Sequence, residues 1–204
     1  MKYTAFFIMI IFFAACGGNG DHAQHSAQNE AHEHGGDIHQ EPGSAVGMIS
    51  DSDSDHHLEE PAAGLFDAVL DDYLALSDVL VQSNASGAAD AAGQLSASAK
   101  QFSQAELEAP VQDRAAGWIA VLQERSQEIA SQSDVEEQRR SYHDLSETMI
   151  AMVDAFGHQK DQLYHQRCPM VNGGNGDWLS TQERIMNPYH GDRMLHCGST
   201  VRTL

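Results

Sequence analysis

The sequence predicts an all-α protein, an antiparallel four-helix bundle followed by a small C-terminal flap of irregular chain and short strands. Three observations predict it. From Pro61 to Phe156, large apolar residues recur at three- and four-residue spacings, the period that lines one face of a helix. The breaks in that pattern are short and carry helix-end chemistry: Asn84-Ala85-Ser86-Gly87, Pro110, and Ser133-Asp134-Val135-Glu136. Beyond Phe156-Gly157 the period fades, and Gly173-Gly174-Asn175-Gly176 forces a loop.

Residues 1–15 read as a targeting segment. Lys2 precedes the apolar run Ala5 to Phe13, which is shorter than the roughly 20 residues a bilayer span needs. It ends in Ala14-Ala15-Cys16-Gly17, small residues before a cysteine, as in a bacterial lipoprotein signal. The expectation is an export signal with lipid on Cys16, which would be the chain's only membrane attachment. The protein would then sit in the periplasm, anchored to a bacterial membrane. Residues 16–60 follow as a tether. Residues 17–60 hold seven histidines (His22, His25, His32, His34, His39, His56, His57), ten carboxylates and no Lys or Arg. Large apolar residues are almost absent, so nothing there offsets the entropy lost on ordering. Imidazole and carboxylate make this tail a weak, unselective metal collector, or else a polar spacer.

The folded body is expected over residues 61–204. Leu65, Phe66, Val69, Leu70, Tyr73, Leu76 and Leu80 line the first helix, and the Asn84-Gly87 stretch breaks it. Ala88, Ala92, Leu95, Ala99 and Phe102 form the seam of the second, with small residues that allow close approach. Pro110 suits the first turn of the third, which carries Trp118, Leu122 and Ile129. Ser133 and Glu136 read as a capping box opening the fourth, with Tyr142, Leu145, Met149, Met152, Val153 and Phe156 inward. At that spacing Met149 and Met152 are core, not metal ligands. In the flap, residues 158–200, Tyr164–Met170 and Met194–Thr200 are the segments expected to pair as strands.

Charge and motifs exclude several functions. With 30 Asp and Glu against 11 Lys and Arg, the net charge of −19 argues against nucleic acid and against anionic lipid bound through a basic patch. No Walker loop, His-Glu-x-x-His or Gly-x-Ser-x-Gly occurs, and the sequence makes no positive case for an enzyme. The chemistry concentrates in the flap. Setting Cys16 aside leaves Cys168 and Cys197, an even pair in an oxidising compartment. One reading is a disulfide closing the flap, worth about 3 kcal/mol. The other is a soft-ion site for Cu(I) or Ag(I), built first from Cys168, Met170, Met194 and Cys197 and then from His196, Met186, His190 and Trp178. An indole face also shields a cation. On regular strands Met194 and His196 share a face and Cys197 takes the other, so a site of Cys168, Met170, Met194 and His196 leaves Cys197 behind it and conflicts with the disulfide. Residue types leave both open.

The run Tyr164, Cys168-Pro169-Met170, Trp178-Leu179-Ser180, Ile185-Met186-Asn187-Pro188-Tyr189, Gly191, Met194-Leu195 and Cys197-Gly198 resembles the signature of the DUF3347 family. The resemblance spans about residues 64–200, with His190 standing where an aromatic is usual. It implies a helical domain found in bacterial lipoproteins and fused to periplasmic adaptor subunits of heavy-metal efflux pumps. By that implication the expected function is soft-metal binding tied to copper or silver efflux or homeostasis, with an efflux adaptor or pump as partner. A structural module docking on such an adaptor, with Cys168 and Cys197 in a disulfide, is the alternative.

Overall fold

A computed structural model describes residues 58–171 and 174–204. The leader, Cys16 and the seven tail histidines lie outside the described residues. Four helices come first: α1 Ala62–Val81, α2 Ala85–Phe102, α3 Ala109–Ser131 and α4 Val135–Phe156. Each packs mainly on its neighbours in sequence. Residues 82–84 and 132–134 are all that joins α1 to α2 and α3 to α4, so the chain reverses at each turn and the bundle is antiparallel. No helix among the described residues is long and apolar enough to cross a membrane.

The apolar stripes meet as the spacing predicts. Phe66, Val69, Leu70, Tyr73, Leu76 and Leu80 of α1 are buried against Ala88, Ala92, Leu95, Ala99 and Phe102 of α2. Leu122 and Ile129 of α3 are fully buried, as are Met149 and Met152 of α4, which are core. Phe66, Phe102 and Phe156 cluster with centroids 5.3–6.0 Å apart, and Trp118 meets Phe156 edge-on at 5.6 Å.

The helix ends explain themselves chemically, with one correction. Asn84, which breaks the first helix, caps the second: its Oδ1 accepts from Gly87 N at 3.0 Å. Glu108 is the N-cap of α3, and Pro110 lies in its first turn, where no amide partner is needed. The capping box expected at Ser133 does not form. Asp134 is the N-cap instead, its Oδ1 accepting from Glu136 N at 2.8 Å and Glu137 N at 3.1 Å. A carboxylate both accepts from the orphan amides and complements the positive helix end, which a hydroxyl does not. Glu136 is thereby released for another task.

Gly157, at φ 75°, stops α4, and the flap begins. It holds a three-stranded antiparallel sheet of order β2-β1-β3, where β1 is Tyr164–Cys168, β2 is Gly176–Ser180 and β3 is Ser199–Thr203. The strand expectation needs revision in two places. Strand β1 ends at Cys168, because Pro169 brings no amide to the ladder and Met170 lies in a turn. Residues 194–198 are not a strand: one 3₁₀ turn, Gly191–Arg193, leads into irregular chain and β3 starts only at Ser199. The partner strand the sequence reading missed is β2. It packs on α4, with Trp178 and Leu179 both fully buried.

Candidate metal centre

Cys168 ends the central strand β1, opposite Gly176 of β2, and is fully buried. Cys197, half-buried, lies on the irregular run before β3. Their sulfurs stand 3.4 Å apart and both thiols are free. The conflict foreseen for regular strands vanishes because the chain at Cys197 is not a strand. Asn187, fully buried, fixes that run: Nδ2 donates to Cys197 O at 2.9 Å, and Oδ1 accepts from Tyr189 N at 2.9 Å. Its own amide donates to Leu195 O at 2.9 Å. Gly198, at φ 143°, then passes so close that a Cβ there would lie 2.7 Å from Arg167 O and 3.0 Å from the Trp178 ring. The hydrogen bond with the Cys168 sulfur, followed by burial, raises the Cys197 thiol above its ordinary pKa.

The other sulfur groups and the imidazoles are placed unequally. Met170 and Met194 are exposed, at 63% and 36%, while Met186 is half-buried. Met170 follows Cys168 by two residues, and Met194 precedes Cys197 by three. His196 is exposed but already engaged: Nδ1 lies 2.8 Å from Ile185 O and Nε2 2.8 Å from the Arg184 guanidinium. Nδ1 faces an acceptor and Nε2 a donor, so ligation through Nε2 would displace Arg184. His190 is half-buried and its Nε2 has no hydrogen-bond partner. Trp178 is fully buried, edge-on to Tyr189 at 6.2 Å, and its Nε1 is also without a partner. Among the described residues, no group of three or more His, Cys, Asp or Glu is arranged to hold a metal, so a Cys and His zinc cage is not built here. A two-sulfur site with thioethers nearby is what the arrangement offers.

Two networks that the sequence reading missed seat this sheet on the bundle. In the first, Tyr73 and Tyr142 stack at 5.7 Å, and Tyr142 Oη donates to Tyr73 Oη at 2.9 Å. Tyr73 Oη pairs with Ser146 Oγ at 2.6 Å and accepts from Leu179 N at 3.1 Å. Ser146 and Tyr189 both donate to Asp177 O, at 2.7 and 2.6 Å. Burial drives Tyr142 and Tyr189 well above the ordinary phenol pKa, which keeps both hydroxyls as proton donors. In the second, Arg139 of α4 is 5% exposed and holds three segments together. Its Nε donates to Pro188 O at 2.9 Å, and its Nη2 to Leu80 O at 2.8 Å and Ser83 Oγ at 3.0 Å. Glu136, freed from capping, takes Arg139 Nη1 at 2.6 Å and Arg193 Nη2 at 2.6 Å.

The sheet also carries a charge lock. Arg167 grips Asp177 across β1 and β2 with two bonds, 2.5 and 2.7 Å, and His165 Nε2 lies 3.2 Å from the same carboxylate. Burial pushes the Asp177 carboxyl up, but Arg167 and His165 outweigh it and hold the pKa below the usual carboxylate value. A carboxyl lowered in the folded state stabilises above its unfolded pKa, about 3.9, and loses that contribution as pH falls further, through the folded value. Urea midpoints of the wild type are therefore expected to drop steeply below about pH 4. Asp177→Asn should be weaker at pH 6 and flatter in acid. Equal acid slopes for the two proteins would remove Asp177 from this role.

No curated protein and no solved structure matches the chain. The match to a known family starts within α1 at Val69, runs through α4 and ends at Asp161, ahead of β1, so it is narrower than the resemblance read from the motifs and includes neither Cys168 nor Cys197. Over residues 69–161 this chain matches the family model described as a protein of unknown function (DUF3347).

Proposed function

We propose that this protein binds a soft cation, Cu(I) or Ag(I), at the Cys168–Cys197 sulfur pair, and does so in the bacterial cell envelope, held to a membrane by lipid on Cys16. It passes the ion to an efflux system or withholds the ion from it, and the histidine-rich tail collects metal nearby. The observation that carries the reading is two free sulfurs 3.4 Å apart, one buried and one half-exposed, with exposed methionines two and three residues away in sequence. Thiolate and thioether select soft ions over the hard cations that carboxylates favour. Metal–sulfur bonds of about 2.3 Å put two sulfurs on one ion roughly 3.8–4.6 Å apart. The pair must open by about 0.4–1.2 Å, a shift that falls to Cys197, which lies outside the sheet ladder, and not to Cys168 within it. Met170 and Met194, exposed instead of packed in the core, are available as entry or third ligands.

The second reading is a docking module for an efflux adaptor, stapled by a Cys168–Cys197 disulfide. The full burial of Cys168 favours it. An anaerobic Cu(I) titration of the reduced chain against a chromophoric chelator separates the two. One tight equivalent is expected, lost in Cys168→Ser and weakened in Met194→Leu. It should persist when the seven tail histidines are replaced by Gln. Tight binding that survives Cys168→Ser but vanishes with the tail histidines would move the metal site to the tail and leave the flap as a docking module.

A further inference from the structure

We infer that Cys168 and Cys197 form a redox gate on this site: the dithiol holds the soft ion, and a reversible disulfide between the same two sulfurs expels it. The inference rests on the metal reading above and adds the regulation of that site. Its first ground is exclusivity. Among the described residues Cys168 and Cys197 are the two thiols and lie within reach of one another, and each oxidised sulfur gives up the anionic lone pair that a soft cation needs. From 3.4 Å, disulfide closure to about 2.05 Å requires a shift of roughly 1.4 Å, comparable to the opening that metal binding requires and in the opposite direction. The free pair therefore stands between its two products.

The second ground is that the flap does not depend on the covalent link. Asn187 holds the Cys197 carbonyl, and Cys197 N donates to Met194 O at 3.0 Å. Strand β3 pairs with β1, and Leu204 N donates to Leu163 O at 2.8 Å. Arg139 clips Pro188 to the bundle. A disulfide stabilises mainly by constraining the unfolded chain. The folded flap is positioned by these hydrogen bonds, so reduction leaves the thiols paired in place and able to close again.

Burial sets the order of events. Cys168 is fully enclosed, so an incoming disulfide meets Cys197 first. The Cys197 thiolate attacks one sulfur of a disulfide on a small molecule or a carrier protein. A mixed disulfide forms and one thiol of that oxidant leaves with a proton. The Cys168 thiolate then attacks Cys197 Sγ, the intramolecular disulfide forms, and the second thiol of the oxidant leaves with a proton. Two electrons pass from the pair to the oxidant, and any ion held by the two thiolates is released. An external dithiol reverses the sequence.

The test uses the full chain and Ag(I), which undergoes no redox change of its own during the assay. The protein is equilibrated in oxidised and reduced dithiothreitol mixtures, exchange is quenched in acid and the dithiothreitol removed anaerobically, its free thiols are counted by mass tagging, and the Ag(I) affinity of each sample is then measured. Cys16 is replaced by Ser so that only the pair is read. Both thiols should disappear together along a two-electron curve, and Ag(I) affinity should fall in step by more than the about 100-fold that loss of a mere supporting group brings. With glutathione disulfide, Cys168→Ser should accumulate a mixed disulfide on Cys197, whereas Cys197→Ser should accumulate almost none. If the oxidised chain binds Ag(I) as tightly as the reduced chain, the gate is overturned while the metal reading stands. If the reduced chain does not bind Ag(I), the metal reading itself fails and takes the gate with it. Thiols that disappear one at a time, or into dimers between chains, overturn the gate on their own.

Discussion

Arg139→Ala should destabilise the protein by about 3 kcal/mol and lower its melting temperature by about 6–12 °C. The guanidinium is 5% exposed and satisfies acceptors from three separate places: Leu80 and Ser83 at the end of α1, Pro188 in the flap and Glu136 on its own helix. Truncation leaves the buried Pro188 carbonyl without its donor, where an unmet group costs about 1–3 kcal/mol, and strips the charged donor from Leu80 O, which keeps the Ser83 amide at 3.0 Å. Arg193 still holds Glu136, so the carboxylate is not stranded, and this limits the loss. Arg139→Lys should recover less than half, because one ammonium on a flexible stem cannot reach the positions that a planar fork reaches at once. Loss of the clip should also loosen the flap, which red-shifted Trp178 emission would report. A urea-derived loss below 1 kcal/mol for Arg139→Ala would mean that the flap is seated by the tyrosine network alone.

How legible these features were in the sequence follows from the range of the interaction behind each. The four helices were readable because burial of one face leaves a short-range period, and the residues placed inward are buried except Leu65 and Trp118, which are half-buried against the same core. The start of α4 was missed by one residue, since Ser133 and Asp134 are both good caps and only the geometry decides. Strand β2 left no alternation because Trp178 and Leu179 are buried on opposite faces. The thiols were legible as residues, but their meeting was not. It depends on Gly198 and on the Asn187 side chain, neither of which announces a bend at Cys197. Arg139 reads locally as one more charge on a helix, and its partners at Leu80 and Pro188 lie 59 and 49 residues away. Tyr73 and Tyr142 sit at apolar positions of the period, which places their rings in the core where the structure has them. Their hydroxyls, which link the bundle to Leu179 directly and to Asp177 through Ser146, have no signature in a periodicity.

Gly198→Ala should be the single substitution that damages fold and site together. At φ 143° a side chain is strained whatever space surrounds it. Space is also lacking, since the new Cβ would lie 2.7 Å from Arg167 O, a backbone atom in the central strand, and 3.0 Å from the Trp178 ring. Strand β1 is held on both sides, and Trp178 is enclosed, so the run from Cys197 to Ser199 has to move. Strain and displacement together should destabilise the protein by roughly 2–4 kcal/mol. Movement of Cys197 away from Cys168 separates the sulfurs, so the Cu(I) affinity of the reduced chain should fall although both cysteines and both exposed methionines remain. Cys197 should react faster with bulky disulfide reagents, and the intramolecular disulfide should form more slowly. Met194→Leu is the informative contrast: it removes a sulfur but leaves the backbone at Gly198 intact, so it should weaken metal binding with little change in stability or thiol exchange. Wild-type stability together with wild-type thiol reactivity in Gly198→Ala would show that the close pass of Gly198 over β1 does not set the distance between the two sulfurs.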